Sequence, residues 1–172
     1  MTEQWAPIAG WEGRYEISTL GRVRTLDRET LDRLGRRHVV HGRIMATKVN
    51  PTQGRVFALL YRCGRLTRLP IHVVVLEAFV GPRPLGMVAC HNDGDPQNNA
   101  LSNLRWDTQG SNNLDAVKHG THVQARKTHC PAGHPYSGEN LAMYLNGGIP
   151  RRRCRTCRNV TARARYARRD AA

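Results

Sequence analysis

Hydrophobic and polar positions alternate over short distances along the first 25 residues, "MTEQWAPIAGWEGRYEISTLGRVRT", with Trp5, Trp11, Tyr15, Ile17 and Val23 spaced between glycines. No helical period runs through them, so the pattern predicts short twisted strands joined by tight turns. Residues 26–41, "LDRETLDRLGRRHVVH", are dominated by charge and predict an exposed turn or short helix. In "GRVFALLYRCGRLTRL" two apolar runs flank Cys63-Gly64, which predicts a β-hairpin. The following "PIHVVVLEAFVG" places Ile71, Val74, Val75, Ala78 and Phe79 at helical spacing, with Pro70 as a first-turn proline and Gly81 as a stop. The Val73–Val75 run would also suit a strand, but helix is favoured.

Residues 82–87 form a loop into "VACHNDGDPQNNALSNLRWDT", which predicts a strand, a long polar loop and a second strand. "SNNLDAVKHG" then has Ser111 as an N-cap, apolar Leu114 and Val117, and Gly120 as a stop, the signature of a short helix. A ββα unit of this kind can bring the end of its first strand, where His91 sits, to the first turn of its helix, where Asn112 sits. Hydrolytic metal chemistry needs such a convergence: an oxygen donor for a hard ion, a neutral imidazole to take a proton from water, and a polar group to fix the imidazole tautomer.

"CHNDGDPQNNALSNLRWDTQGSNN" resembles the motif of HNH nucleases, in particular the homing-endonuclease-like group found in phages. "WAPIAGWEGRYEISTLGRVRTL" resembles a short module that precedes such domains, and "IHVVVLEAFVG" resembles their helix before the motif. The resemblance implies that His91 is the general base, that Asn103 orients it, and that Asn112 binds the catalytic metal. It also implies an aspartate ligand before the histidine, where this chain has Cys90. Thiolate is a soft ligand that favours Zn²⁺ over Mg²⁺ or Mn²⁺. Cys90 therefore either ligates a softer metal, packs as a small apolar residue while Asn112, water and substrate phosphate coordinate the ion, or marks a lapsed site. A general base supplies about 10²- to 10⁴-fold, a small part of what phosphodiester cleavage requires, so a divalent ion is expected to do most of the charge stabilisation.

The other polar groups of the segment have local roles to play. Asn98 and Asn99 read as turn formers, Asp93 and Asp95 as loop stabilisers, and Leu104 and Trp106 as packing for the second strand. His72, alone at the start of an apolar helix, reads as a cap or core histidine, and His119 and His122 as surface residues.

Charge changes the picture most beyond residue 120. The chain of 172 residues carries 27 Lys and Arg against 13 Asp and Glu, a formal charge of +14. From Thr121 onward 11 basic residues face only Glu139 and Asp170, so most of the excess lies in the last third. A polyanion partner is expected, and "RCRTCRNVTARARYARR" predicts a helix dense in guanidinium groups. In the same region "CPAGH" and "CRTC" place Cys130, His134, Cys154 and Cys157 as two ligand pairs for a structural zinc, with His129 as an alternative fourth ligand. "CPAGHPYSGEN" with "RRCRTC" also resembles a zinc-binding extension found behind phage HNH domains. Arg151, Arg152, Arg153, Arg155, Arg158, Arg163 and Arg165 are the expected contacts to backbone phosphates.

Together these readings predict an α+β protein: a small N-terminal β-module with charged linker (1–50), a central ββα-metal unit (51–120), and a C-terminal zinc-ribbon-like module with a basic helix (121–172). The expected function is a metal-dependent DNA endonuclease using Mg²⁺ or Mn²⁺, or Zn²⁺ if Cys90 is a ligand, with double-stranded DNA as partner and a monomeric chain. A non-catalytic, zinc-containing DNA-binding protein is the alternative, and an RNA-binding zinc protein a third, disfavoured by an aromatic content of 6%. No apolar run reaches membrane-spanning length and no signal peptide is legible, so the cytoplasm is expected, that of the host if the chain is phage-encoded.

Overall fold

A computed structural model of the chain describes residues 2–170, in two compact units that divide between His119 and Gly120. The first unit begins with an antiparallel sheet of β1 (Trp5–Pro7), β2 (Tyr15–Ser18) and β3 (Val23–Thr25), in that order. Next comes a hairpin of β4 (Arg28–Leu31) and β5 (Arg37–Val40), where charge alone had suggested an exposed turn or helix. Its turn is built by Asp32, whose carboxylate accepts the backbone N–H groups of Leu34 and Arg36 at 2.8 and 3.0 Å. The hairpin leaves Leu31 and Val39 exposed, and so lacks the one-sided apolar stripe by which a strand is recognised.

A second three-stranded sheet joins β6 (Lys48–Val49), β7 (Val56–Arg62) and β8 (Arg65–Pro70). Cys63 and Gly64 form the β7–β8 turn with φ of 49° and 76°, the left-handed pair that suits the twist of a two-residue hairpin. Pro70 caps α1 (Ile71–Phe79) rather than entering it, and Gly81 closes the helix by donating its N–H to Leu76 O at 3.0 Å. β9 (Met87–His91) and β10 (Leu104–Thr108) pair antiparallel, with His91 opposite Leu104 and Cys90 opposite Arg105. A short 3-10 turn over Leu101–Asn103 precedes β10, and α2 (Gln109–Lys118) follows it. The cap of α2 is Thr108, whose hydroxyl accepts from Ser111 N at 3.1 Å, three residues earlier than the serine expected to do so.

One core serves this whole unit. Ile8, Tyr15, Ile17 and Val23 from the first sheet pack with Val56, Ala58 and Leu60 from the second, with Ile71, Val74, Val75 and Leu76 from α1, and with Leu104. Residue 50 is therefore not a break in packing. Gly21, in the β2–β3 turn, carries the closest approach: a Cβ there would lie 2.7 Å from Asn99 Cβ and 3.2 Å from Ile71 Cγ2, and its φ is +76°. Alongside, Leu101 N donates to Thr19 O at 2.8 Å.

The second unit comprises α3 (Val123–Arg126), the hairpin β11 (Leu141–Asn146) and β12 (Ile149–Cys154), and α4 (Arg155–Asp170). Cys130 and Cys154 are its buried side chains, while the hairpin leaves Met143 and Leu145 exposed. No helix among the described residues is long and apolar enough to cross a membrane.

Two outcomes test this packing. Gly21→Ala is expected to lower stability by about 1–3 kcal/mol through left-handed strain and overpacking, read as a lower midpoint in denaturant; an unchanged midpoint would disprove the close approach. The second concerns His72, buried in α1 with 3% of its surface exposed. Burial, with the nearby His91 and Arg55, pushes its pKa down to about 4. Because the folded value lies below the unfolded one, His72 favours the fold fully above the unfolded pKa. That contribution falls as the unfolded chain gains its proton first, between about pH 6.5 and 4. The midpoint is expected to drop over this window in the wild type and to drop less in His72→Asn.

Candidate functional site

His91 ends β9, half-buried, at the mouth of the loop that leads to β10. Its Nε2 lies 3.3 Å from Asn99 Oδ1, while Asn99 Nδ2 donates to Gln97 O at 2.9 Å. With the amide nitrogen so engaged, the carbonyl oxygen must face the ring, and the ring must donate from Nε2. The lone pair is then on Nδ1. Burial lowers the His91 pKa, an effect partly offset by the Asn99 bond and the charge of Asp93, so the imidazole is neutral at pH 7 and able to accept a proton.

Asn103, expected to orient this histidine, faces the loop instead. Its Nδ2 donates to Asp93 Oδ1 at 2.9 Å and to Asn98 O at 2.8 Å, and its Oδ1 accepts from Asp93 N at 3.1 Å. Asp93 in turn accepts from Asp95 N and Asn98 Nδ2, and these bonds hold its carboxyl down to about 2. Asn103 thus shapes the loop, and Asn99, read from sequence as a turn former, is the residue at the ring. Both asparagines are buried and lie in one polar run, so spacing alone does not separate their roles.

Cys90 points away from His91, as strand alternation requires, and is 1% exposed. Burial raises its thiol pKa, with Asp107 and Asp115 adding to the effect against Arg105. Its Sγ donates weakly to Val88 O at 3.6 Å. Beside it, Arg105 bonds Asp107 Oδ2 at 2.9 Å and also pairs with Asp115 and the Asn92 carbonyl. Ser111 Oγ donates to Asp107 Oδ2 at 2.7 Å, so the first turns of α2, including half-buried Asn112, are fixed to β10 by polar links. Sequence reading passed over this Arg105–Asp107–Asp115 set; the i to i+2 alternation of opposite charges on a strand entering a helix was its only signal.

His72 stacks against the site, its ring centroid 5.2 Å from that of His91. Trp106 is half-buried and donates from Nε1 to Gly81 O at 3.3 Å. His119 covers Gly94, and His122 caps α3 through Nδ1.

In the second unit the ligand atoms of Cys130, His134, Cys154 and Cys157 all lie within 4.8 Å of one another. Cys130 Sγ is 3.6 Å from Cys157 Sγ, and His134 Nδ1 is 3.5 and 3.3 Å from the sulfurs of Cys130 and Cys157. Tetrahedral Zn²⁺ with ordinary bond lengths separates two sulfurs by about 3.8 Å and a sulfur from a nitrogen by about 3.5 Å. The three thiols also oppose one another's ionisation: contact with Cys130 and Cys154 pushes Cys157 up to about 11, while the Cys157 backbone N–H lowers Cys154. A divalent cation would remove that conflict, so the donor set fits zinc. His129 stays outside the cluster, bonded to Thr128 Oγ1 at 3.0 Å.

A groove of about 680 Å³ lies against this cluster, lined among others by Tyr136, Arg152, Arg153, Arg158, Arg165 and Tyr166. Arg153 stacks over Tyr144 at 4.2 Å and Arg152 over Tyr136 at 4.8 Å. Arg152 also donates to Lys127 O, a structural tie. Arg151, Arg155 and Arg163 are exposed but do not line the groove.

Comparison with known proteins bears on both units. Residues 3–67 match the NUMOD4 motif and residues 70–114 match the HNH endonuclease family. The DNA endonuclease I-HmuI of Bacillus phage SP01 is 28% identical over 118 residues, which are 69% of this chain and 60% of that protein. The chain thus aligns with less than two thirds of its relative's length. The solved structure of the HNH homing endonuclease I-HmuI, reported for DNA binding and cleavage, shares the fold with a TM-score of 0.54 at 22% identity, over 92% of this chain and 82% of that one. The β9–loop–β10–α2 unit, with His91 at the strand end, lies inside the span that matches the HNH endonuclease family.

Proposed function

We propose that the protein is a metal-dependent endonuclease that hydrolyses DNA phosphodiester bonds, with His91 as general base. The observation that carries this reading is the state of His91 itself: neutral, half-buried, and held by Asn99 in the tautomer that leaves Nδ1 free. Nδ1 takes a proton from water as the water oxygen attacks phosphorus, and the bond to the 3′ oxygen breaks to leave a 5′-phosphate and a 3′ alkoxide that takes a proton from solvent to become the 3′-hydroxyl. Asn112 is the hard oxygen donor from α2, and with substrate phosphate oxygens it would hold Mg²⁺ or Mn²⁺, which would stabilise the charge developing on the phosphate and the leaving oxygen. Cys90, buried and protonated, packs against the β10–α2 junction rather than ligating the ion.

On this reading the C-terminal unit holds a structural Zn²⁺ through Cys130, His134, Cys154 and Cys157. Its arginines and tyrosines bind the phosphate backbone of double-stranded DNA, and the chain acts as a monomer in the cytoplasm of the host cell. The buried thiol at 90 also favours a second reading, a DNA-binding protein whose nuclease site has lapsed.

Incubation with supercoiled plasmid in Mg²⁺ or Mn²⁺ decides between the two. Nicked or linear product is expected from the wild type. His91→Ala should lose about 10²-fold or more of the rate and Asn99→Ala about 10-fold, with DNA affinity nearly unchanged in both. Binding without cutting, on random and target DNA alike, would establish the lapsed site.

The zinc assignment has its own test. The purified protein is expected to carry one zinc per chain, and chelation should expose the thiols of Cys130, Cys154 and Cys157 and diminish the ellipticity of α4. Full helicity and unreactive thiols in chelator would overturn it.

A further inference from the structure

Beside His72 lies a cavity of about 400 Å³, lined among others by Asn50, Gln53, Arg55, Phe57, Arg68 and His72. The expected reading of His72 as a core histidine accounts for its burial but not for its bonding. Its Nδ1 is buried without a hydrogen-bond partner, and the ring stands on this cavity with His91 behind it. Arg55 and Arg68 both line this cavity, and among the described residues neither has a carboxylate in salt-bridge range, a condition they share with most arginines of the unit.

Both guanidinium groups are placed by the fold. Arg68 Cζ lies 3.5 Å from the centroid of the Phe57 ring, a cation–π contact that confines the guanidinium beside the cavity. Arg55 ends a turn that Asn50 organises: Asn50 Oδ1 accepts from Thr52 N and Gln53 N at 2.9 and 3.1 Å, and Asn50 N donates to Arg55 O at 2.9 Å. That turn abuts the His91 loop so closely that a Cβ on Gly54 would lie 2.9 Å from Pro96 Cγ. Arg55 is accordingly near enough to act electrostatically on His72, Cys90 and His91 alike.

Two unpaired cations and a buried imidazole at one cavity match a tetrahedral oxyanion, and the adjoining general base identifies which one. We propose that the Arg55–Arg68–His72 cavity is a phosphodiester-binding subsite, which seats a backbone phosphate of the strand adjoining the bond that His91 hydrolyses. The inference deepens the nuclease reading and rests on it for the identity of the strand. A neutral His72 contributes an N–H to a phosphate oxygen, and the two arginines supply the charge. Each direct phosphate contact should add about 0.9 to the slope of log affinity against log salt.

The test uses the full-length, zinc-loaded protein with ¹⁵N-labelled histidine rings, without Mg²⁺ or Mn²⁺, titrated in one arm with a short duplex and in the other with inorganic phosphate. The His72 ring resonances are expected to shift and saturate with the duplex. In an Arg55→Gln/Arg68→Gln variant of unchanged thermal midpoint, duplex affinity should fall at least 10-fold and the salt slope by about 1–2. A shift with inorganic phosphate as well would show that the cradle binds the free oxyanion and supports the subsite. A shift with phosphate and none with duplex would overturn the strand assignment, and no shift in either arm, or an unchanged salt slope, would overturn the subsite. Because the readout does not require cutting, a wild type that shifts but leaves random and target DNA alike intact with Mg²⁺ or Mn²⁺ refutes the nuclease and keeps the subsite; one that cuts without the shift does the reverse.

Discussion

The contact between the Asn99 amide and the His91 ring depends on an approach that leaves no room for a side chain. Gly21 brings the β2–β3 turn against Asn99, within 2.7–2.9 Å of where a Cβ would sit, and the neighbouring Thr19 carbonyl takes the Leu101 N–H. The loop of the ββα unit is therefore held from outside by the N-terminal sheet as well as from inside by Asn103 and Asp93. An amide on a free loop would lose rotamer freedom to face the ring; here that entropy is already lost on folding. The N-terminal module is thus part of the site's support, which explains why its core and that of the ββα unit are continuous through Ile17, Ile71 and Leu104.

Support on the other side of β10 has a different character. None of the residues of α2 is fully buried, and Leu114 and Val117 are exposed. Polar bonds of Arg105, Asp107, Ser111 and Asp115 hold the helix instead. Such bonds fix direction and register more sharply than apolar contact does, but each is worth only about 1 kcal/mol net where water competes. The position of Asn112 is therefore well specified and lightly stabilised, a combination compatible with adjustment on the substrate.

How much of this the sequence revealed depended on whether the signal was local. Helix α1, the Cys63-Gly64 hairpin and the clustering of Cys130, His134, Cys154 and Cys157 were legible because periodicity, a two-residue turn and ligand spacing are properties of short segments. The β4–β5 hairpin was missed because both its faces are exposed and its turn is set by one aspartate side chain. Which of Asn99 and Asn103 faces the His91 ring was illegible for another reason: two asparagines four apart in a polar loop differ only in their tertiary surroundings, here the approach of the distant Gly21 to Asn99. The placement of Arg55 and Arg68 beside His72 was hidden likewise, since a basic chain offers many arginines and only folding shows which of them share a cavity.

The two proposed ions also bear on why a cysteine is tolerated next to the proposed general base, His91. A soft, closed Cys₃His site and a hard, open oxygen site in one chain must each acquire the right metal, and an available thiolate in the second would draw zinc to it. The Cys90 environment opposes this: burial and the carboxylates of Asp107 and Asp115 all favour the protonated thiol, while Cys154 sits where a backbone N–H favours the thiolate. The same side chain is therefore kept protonated in one unit by burial and nearby carboxylates and drawn toward the thiolate in the other by hydrogen bonds from the Cys157 N–H and Asn140. If Asn112 and substrate phosphates hold a hard ion as proposed, a cysteine at position 90 in place of a carboxylate would make that ion's affinity conditional on DNA being bound. On the proposed nuclease reading, coupling of this kind would restrain cleavage until the strand is seated, a useful property in a chain whose net charge of +14 draws it to any polyanion.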